Sequence, residues 1–301
     1  MRPARGSHIV IERSKLPTDV SFTILHPEDQ RPIFVYPWEG RTVIGTTDLD
    51  HPRPNNSEVG ITRRELDYLL NLAEFQFPQA QITESDVISS WAGVRPLVSG
   101  GASNSAKESR DHTVWRDDRL VSVSGGKLTT FRLIALDVLK KISDLLPAAD
   151  VDKKARVFTN AEDVSAIDGV SASQMRRVTG YYGEYARDVL AIASDDPEAL
   201  ETVADTNVLW AELYWQAKSE SVVHLDDLLL RRNRLGLLLR DGGLDYESEF
   251  KRRLQPILRW DDALWKSEVE RYREIWQQFY SLPSPQSEYA ASASELDVEY
   301  A

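Results

Sequence analysis

The hydrophobic pattern of this chain changes near residue 155, and the change limits the folds open to it. Before that point, short apolar runs alternate with turn residues, which is typical of β-strands. After it, apolar residues recur at helical spacing. We therefore expect an α+β protein, in which a domain with a mixed or antiparallel sheet and helices precedes an all-helical carboxy-terminal domain. The first strand-like runs are H-I-V-I-E, S-F-T-I-L, R-P-I-F-V-Y-P-W and R-T-V-I-G-T-T.

Two helical patterns lie within the sheet region. Thr62 and Glu65 have the spacing of a capping box, and apolar residues follow at helical intervals. This predicts a helix from about residue 62 to 76. A long apolar segment over residues 128–146, which Pro147 ends, predicts a second helix that is buried.

The same patterns predict the domain boundaries. We expect the sheet domain over residues 1–150, the helical domain over 151–282 and a tail over 283–301. Within the helical domain, breaks are expected near Thr179-Gly180, Asp195-Asp196-Pro197 and Asp241-Gly242-Gly243. The tail contains P-S-P-Q-S and A-S-A-S-E, and so polar a segment cannot bury enough apolar surface to fold. We expect the tail to be disordered.

Composition excludes several kinds of site. The chain has no cysteine, so it has no disulfide, no thiolate nucleophile and no cysteine-ligated metal. No spacing of histidines and carboxylates suggests a metal site. The net charge of −12 repels nucleic acid, and it means that an anionic substrate would need a pocket where arginines are clustered. Redox chemistry would require a bound cofactor.

The sequence also limits where the protein is expected to work. No apolar stretch approaches the roughly 20 residues of a membrane-spanning helix. The start, M-R-P-A-R-G-S-H, leads into a strand-like run and not into the apolar core of a signal peptide. We therefore expect a cytoplasmic protein.

An ordered set of motifs gives the chain its resemblance to a known family. They are G-S-H at 6–8, V-I-G-T-T-D at 43–48, W-A-G-V-R-P-L at 91–97, S-R-D-H at 109–112 and G-G-K-L-T-T-F-R at 125–132, followed in the helical region by D-D-L-L-L-R-R-N-R-L and W-D-D-A-L-W. In order and spacing they resemble FAD-dependent glycerol-3-phosphate dehydrogenases. The resemblance covers nearly the whole chain up to about residue 280. It implies that the sheet domain binds substrate and touches the flavin.

The G-G-K-L-T-T segment fits such a role on physical grounds. A strand that ends in two glycines and opens a helix exposes backbone N–H groups and lets a flat ring approach. The resemblance implies flavin contacts from Gly126, Lys127, Leu128 and Thr129. From this motif alone, a turn whose glycines serve only packing is an equal alternative.

The resemblance also implies catalytic and substrate-binding side chains. Arg95 would lie near the reacting hydroxyl, and Arg110 and Lys127 would hold the phosphate, because guanidinium groups pair well with phosphate oxygens. His8 would be the general base. The plainer alternatives are solvated surface charges and a structural histidine. Residues 46–48 are expected to be scaffold near the site.

The chain contains no G-x-G-x-x-G fingerprint for the ADP part of FAD. We therefore expect FAD to be bound mainly by a segment absent from these residues, and the isolated chain to be inactive. The resemblance further implies glycerol 3-phosphate as substrate, a quinone acceptor, peripheral contact with the inner face of the cytoplasmic membrane and a homodimer. The alternatives are a non-catalytic interaction module and a related amine- or amino-acid-oxidising flavoprotein.

Overall fold

The computed structural model describes residues 2–51, 58–97, 111–147, 152, 154–158 and 167–284. The strands are β1 (Arg2–Glu12), β2 (Phe22–Leu25), β3 (Pro32–Trp38), β4 (Arg41–Gly45), β5 (Leu49–Asp50), β6 (Val87–Leu97), β7 (His112–Asp117) and β8 (Leu120–Gly125). The α-helices are α1 (Arg63–Gln76), α2 (Phe131–Lys141), α3 (Ala172–Tyr182), α4 (Ala186–Ala191), α5 (Trp210–Ser219), α6 (Leu235–Leu238), α7 (Glu247–Leu258) and α8 (Asp262–Phe279).

The chain divides into two compact units. The first unit consists of Met1–Ser7, Thr46–Val59 and Ala92–Val157. The second unit consists of His8–Gly45, Gly60–Trp91 and Phe158–Ala301. The expected domain boundary near residue 151 stays a prediction.

The second unit contains an antiparallel sheet in the order β2-β3-β4-β1, and β6 also pairs with β1. The antiparallel sheet expected from the alternating pattern is therefore confirmed. One face of this sheet buries Ile9, Ile11 and Ile44, and the other face buries Val10 and Val43. Successive side chains of a strand point to opposite faces, so this continuous apolar run gives a sheet that is covered on both sides.

Helix α1 covers the first of these faces. The predicted capping box is confirmed, because the Thr62 side chain accepts from the backbone of Glu65 and the Glu65 carboxylate accepts from Thr62. Leu66, Leu69 and Leu72 follow on the buried side of the helix and join the isoleucines of the sheet in one apolar core. The cap fixes where the helix starts, and the apolar stripe fixes which side faces the sheet.

The helices of the second unit surround a separate apolar core in which Trp265 and Tyr272 are the largest fully buried side chains. The break expected at Thr179-Gly180 is wrong, because α3 continues to Tyr182. Gly183 ends the helix with a φ of 54°, a value that favours glycine. Gly180 lies inside the helix with a helical backbone, whereas Gly183 has the positive φ that ends it. The presence of a glycine alone therefore does not predict where the helix ends.

Buried polar bonds fasten the sheet to these helices. Arg41 of β4 is 5% exposed, and its Nε donates to the Leu238 carbonyl over 2.8 Å. Its Nη2 donates to both carboxylate oxygens of Asp205 over 2.9 Å. Ser89 of β6 donates to the Leu237 carbonyl over 2.7 Å. A two-pronged arginine–carboxylate pair sets orientation as well as distance.

A second arginine links the turn after β3 to α3 and α5. The Nε of Arg177 lies 2.5 Å from Glu39 Oε2, and its Nη1 lies 2.5 Å from Glu212 Oε1. Burial raises the pKa of Glu212, although the attraction of Arg177 acts in the opposite direction. Glu212 therefore depends on Arg177 to remain charged inside the protein.

In the first unit, the amino-terminal end of β1 pairs with β5, and β7 and β8 form a two-stranded hairpin against which α2 packs. The expectation of a buried helix over residues 128–146 is wrong. The α-helix is shorter, none of its residues is buried, and Leu133 is 59% exposed. The hairpin covers one side of α2, whereas the apolar sequence had predicted a helix buried on all sides.

Replacement of Arg177 by methionine is expected to destabilise the protein by about 3–5 kcal/mol, because Glu212 would be left buried without its counter-ion. The folded-state pKa of Glu212 is already raised and would rise further. The contribution of Glu212 to the free energy of unfolding is therefore fully present below its unfolded-state pKa, and it is lost as the pH rises through its folded-state pKa. Urea unfolding at about pH 5 and about pH 8 should show the larger loss at the higher pH.

Arg176→Met is the matched control, since Arg176 is exposed on the same helix. It should change the free energy of unfolding by no more than about 0.5 kcal/mol. Equal effects of the two substitutions would contradict the dependence of Glu212 on Arg177.

Candidate active site

Arg95 of β6 lies directly against the backbone of β1 at Gly6, and both residues belong to the first unit. A Cβ atom on Gly6 would lie 2.1 Å from Nη2 of Arg95 and 2.5 Å from the hydroxyl oxygen of Thr46. No side chain fits there while the guanidinium keeps its place. The glycine of the G-S-H motif therefore makes room for the arginine of the W-A-G-V-R-P-L motif.

The T-T-D motif holds the guanidinium from the other side. Nη1 of Arg95 donates to Asp48 over 3.1 Å, and Nη2 donates to the Thr46 hydroxyl over 2.9 Å and to the Thr47 carbonyl over 3.5 Å. An arginine has five N–H donors, so these bonds leave two for a ligand. The Arg95 side chain is 32% exposed, which allows a ligand to reach it.

Backbone pairing fixes the two motifs relative to each other. The Ser7 N–H donates to the Thr47 hydroxyl over 2.8 Å, and the Thr47 N–H donates to the Ser7 carbonyl over 3.2 Å. Ser7 and Thr47 are both buried. Buried polar groups that are satisfied in this way make a rigid support. The orientation of Arg95 is thus set before any ligand binds.

The G-G-K-L-T-T segment forms the strand-to-helix turn expected from the sequence. Gly125 and Gly126 have φ values of 78° and 81°, which favour glycine. A Cβ on Gly126 would lie 2.7 Å from the Ile134 side chain of α2. The Thr130 hydroxyl donates to the Lys127 carbonyl over 2.9 Å and closes the turn. Packing and conformation both require a glycine at position 126.

This turn stands beside an open apolar surface. Leu128 is 87% exposed, and Val123 and Phe131 are also exposed. Together with Ile134 and Leu139 they line a wide, shallow pocket that includes Gly126 and Lys127. Exposed apolar groups beside a turn that has no side chain at its glycines suit a flat ring.

His8 belongs to the second unit, where it pairs with Gly45 across β1 and β4. Its imidazole stacks on Trp91, with ring centroids 4.6 Å apart and planes inclined by 10°. Trp91 is tilted against Trp38 at 5.7 Å. The stack restricts how the imidazole can turn and leaves its edge, where the nitrogens lie, for polar contacts.

The structure thus gathers part of the predicted site. Arg95 meets Thr46 and Asp48 within the first unit, which also contains Lys127 and the other residues of the predicted flavin turn: Gly126, Leu128 and Thr129. His8 is described within the second unit. Arg110 lies outside the described residues. The catalytic and binding roles of all these residues stay predictions.

Sequence reasoning missed two direct partners. Asp48 was expected to be scaffold, but it forms the ion pair with Arg95. Trp91 was not singled out, although it stacks on His8. Both lie in motifs that had been recognised, T-T-D and W-A-G-V-R-P-L. The sequence signal that could have identified them is a charged or aromatic residue that lies in the same motif as a predicted site residue.

Two family models match the chain in succession. Residues 1–127 match the FAD dependent oxidoreductase family, and residues 136–264 match the C-terminal domain of alpha-glycerophosphate oxidase. A solved structure of glycerol-3-phosphate dehydrogenase from Bacillus halodurans, complexed with FAD, has the same fold over 91% of this chain and 56% of its own, with a TM-score of 0.69 and 23% sequence identity.

Curated relatives agree with these matches. Glycerol-3-phosphate dehydrogenase 2 of Mycobacterium tuberculosis is 30% identical over 292 residues, which is 90% of this chain and 48% of the relative. The aerobic glycerol-3-phosphate dehydrogenase of Staphylococcus aureus is 27% identical over 306 residues, covering 92% of this chain and 53% of the relative. The chain thus spans about half the length of these relatives. In its two successive domain matches and in its relatives, the chain is similar to FAD-dependent glycerol-3-phosphate dehydrogenases.

Proposed function

We propose that this chain supplies the substrate-binding part of an enzyme that oxidises sn-glycerol 3-phosphate to dihydroxyacetone phosphate. The observation that carries the proposal is the seating of Arg95 against Gly6, where three motifs of the family meet in one rigid cluster. Such a cluster provides a fixed guanidinium that is paired with Asp48 and keeps two N–H groups for a ligand. Because the chain has a net charge of −12, an anionic substrate also needs the cationic side chains that would hold its phosphate.

FAD fits the residues around the Gly125-Gly126 turn. Gly126, Lys127, Leu128 and Thr129 would lie along the flavin ring, because the turn has no bulky side chain at the glycines and adjoins an open apolar surface. When bound, FAD accepts the hydride that leaves C2 of the substrate. The chain's own residues would then position the substrate, accept the proton of its hydroxyl group and stabilise the negative charge that develops on its oxygen.

The substrate would be held by cationic side chains. Lys127 and Arg110 would pair with the phosphate, which carries close to two negative charges. Arg95 would donate its two remaining N–H groups to the oxygen on C2. This oxygen gains negative character as the hydride departs, so a fixed guanidinium stabilises the transition state more than the ground state.

His8 would act as the general base. As the C2–H bond gives up its hydride, the O–H bond must release its proton, and a neutral imidazole nitrogen accepts it at a pH near neutrality. Stacking on Trp91 would hold the ring in place during the transfer. The products are then the ketone, a protonated His8 and a reduced cofactor, which together balance the reaction.

We further propose a quinone as the electron acceptor, peripheral contact with the inner face of the cytoplasmic membrane, and a homodimer. No helix among the described residues is long and apolar enough to cross a bilayer. We expect the isolated 301-residue chain to bind FAD weakly and to lack dehydrogenase activity, because it has no G-x-G-x-x-G fingerprint.

The alternative is a non-catalytic interaction module, and flavin binding separates the two. The chain would be tested alone and then mixed with the remaining half of the Mycobacterium tuberculosis relative. Bleaching of the flavin by glycerol 3-phosphate in the mixture alone would support a divided active site. Absence of flavin binding in both samples would favour the module, and bleaching by the chain alone would contradict the expected weakness.

Gly6→Ala tests the seating of Arg95. The added Cβ would overlap Nη2, so the guanidinium must shift while the strand remains intact. Displacement of a catalytic group by about 1 Å can cost about 100-fold in rate, and we expect kcat/KM for glycerol 3-phosphate in the mixture to fall by about that factor. Gly93→Ala is the control, because its Cβ would meet open space on β6. Equal rates for the two variants would disprove the role of Gly6.

His8→Phe tests the general base while keeping an aromatic ring to stack on Trp91. We expect kcat to fall by about 10²–10⁴-fold with a smaller change in KM. If His8 is the base, activity of the parent enzyme should decline toward low pH, and the activity that remains in the variant should not show this decline. If stacking were the whole role of His8, the phenylalanine variant would keep its activity and His8→Gln would lose stability instead.

A further inference from the structure

A polar cavity of about 240 Å³ lies within the second unit, and none of the residues assigned to the proposed reaction lines it. The turn after β3 forms one side with Trp38 and Glu39, and α3 contributes Arg177 and Tyr181. The end of the D-D-L-L-L-R-R-N-R-L motif closes it with Arg232 and Arg234. This volume is below the roughly 300–1,000 Å³ of sites for drug-sized ligands, so it suits a small metabolite.

The floor of the cavity is made of fixed polar groups. Gln216 is 2% exposed and Asn233 is 7% exposed. The Gln216 amide donates to the Tyr182 hydroxyl over 2.7 Å and accepts from the Asn233 amide over 2.9 Å. Their orientations are set by each other and by the backbone, so this wall presents a constant pattern of donors and acceptors.

The arginines that line the cavity differ in how far the protein already engages them. Arg177 is engaged by two carboxylates, those of Glu39 and Glu212. Arg234 donates through Nη1 to the carbonyls of residues 230, 231 and 233. The Arg232 side chain is exposed, and its guanidinium makes no hydrogen bond or ion pair within the part of the chain that the structure describes. Burial raises the pKa of Glu220, and the charge of Arg232 opposes this rise, so Glu220 partly balances that charge. Three arginines and two carboxylates line the cavity itself.

The turn beside the cavity is a tight hairpin turn. Glu39 and Gly40 have φ values of 49° and 79° and join Trp38 to Arg41, which pair across β3 and β4, as is usual in two-residue hairpin loops. The Glu39 carboxylate is held by Arg177 and by the Tyr181 hydroxyl, at 2.9 Å. Burial, together with Glu39, raises the pKa of Tyr181 to about 12, so this hydroxyl stays a donor near neutral pH. The turn and these two bonds therefore hold the Glu39 carboxylate at a fixed place beside the cavity.

We propose that this cavity is a second binding site, for a small metabolite that carries a phosphate or a carboxylate. The anionic group would pair with Arg232 and Arg234 at the mouth, since guanidinium groups are preorganised for both oxyanions. The polar body of the ligand would lie against Trp38 and Tyr181 and bond to the Gln216 wall. The proposal does not depend on the dehydrogenase function.

Isothermal titration of the full chain tests this site with inorganic phosphate, glycerol 3-phosphate and malonate. At least one of these probes should bind saturably, and the comparison distinguishes phosphate from carboxylate recognition. Arg232→Ala should weaken that binding by at least about tenfold, because a charge-assisted hydrogen bond is lost. Arg273→Ala is the control that removes an equal charge from an exposed position on α8. It should leave binding within about twofold of the parent.

Arg95→Leu separates this site from the proposed substrate site. Binding at the cavity should survive this substitution, whereas binding at the substrate site should not. The proposal is overturned if none of the probes binds, if Arg232→Ala and Arg273→Ala act alike, or if Arg95→Leu abolishes all binding. Circular dichroism of Arg232→Ala should match the parent, because its guanidinium makes no bond to the described protein.

Discussion

The buried guanidinium of Arg41 is the constraint on which the second unit depends. It reaches from β4 to the Leu238 carbonyl and the Asp205 carboxylate, and thereby ties the sheet to the helices at one point. Arg177 makes a second tie from α3 to the neighbouring turn. Such buried bonds add little net stability compared with apolar packing, but they are satisfied in one arrangement only. The apolar cores supply the driving force, and the arginines select the register.

That register has consequences along β4. Pairing of β4 with β1 places Gly45 opposite His8, and pairing with β3 places Gly45 opposite Phe34. The residues that follow Gly45 are Thr46–Asp48, which hold Arg95 in the first unit. A slip of one residue would move every side chain of β4 to the other face of the sheet. The register of β4 therefore determines which residue pairs with His8 and where the segment Thr46–Asp48 begins.

The sequence allowed the local elements to be predicted, because strand alternation and the Thr62 capping box are determined by near neighbours. It could not show that α2 is exposed, since the apolar residues of a helix do not reveal how much of its surface the neighbouring elements cover. It also could not pair Arg95 with Asp48, which is 47 residues away. The resemblance to a family singled out these motifs, and the structure supplied contacts between three of them.

The charged motif of the helical region shows how these two kinds of information combine. Burial opposes the ionisation of Asp226, but hydrogen bonds from Arg231 and Arg271 outweigh it and lower its pKa. Two charges of the motif are therefore structural, and Arg234 is occupied with backbone carbonyls. Arg232 is left beside a cavity. In an acidic protein, an arginine whose guanidinium makes no such structural bond is a suitable partner for an anionic ligand, because its donors remain available.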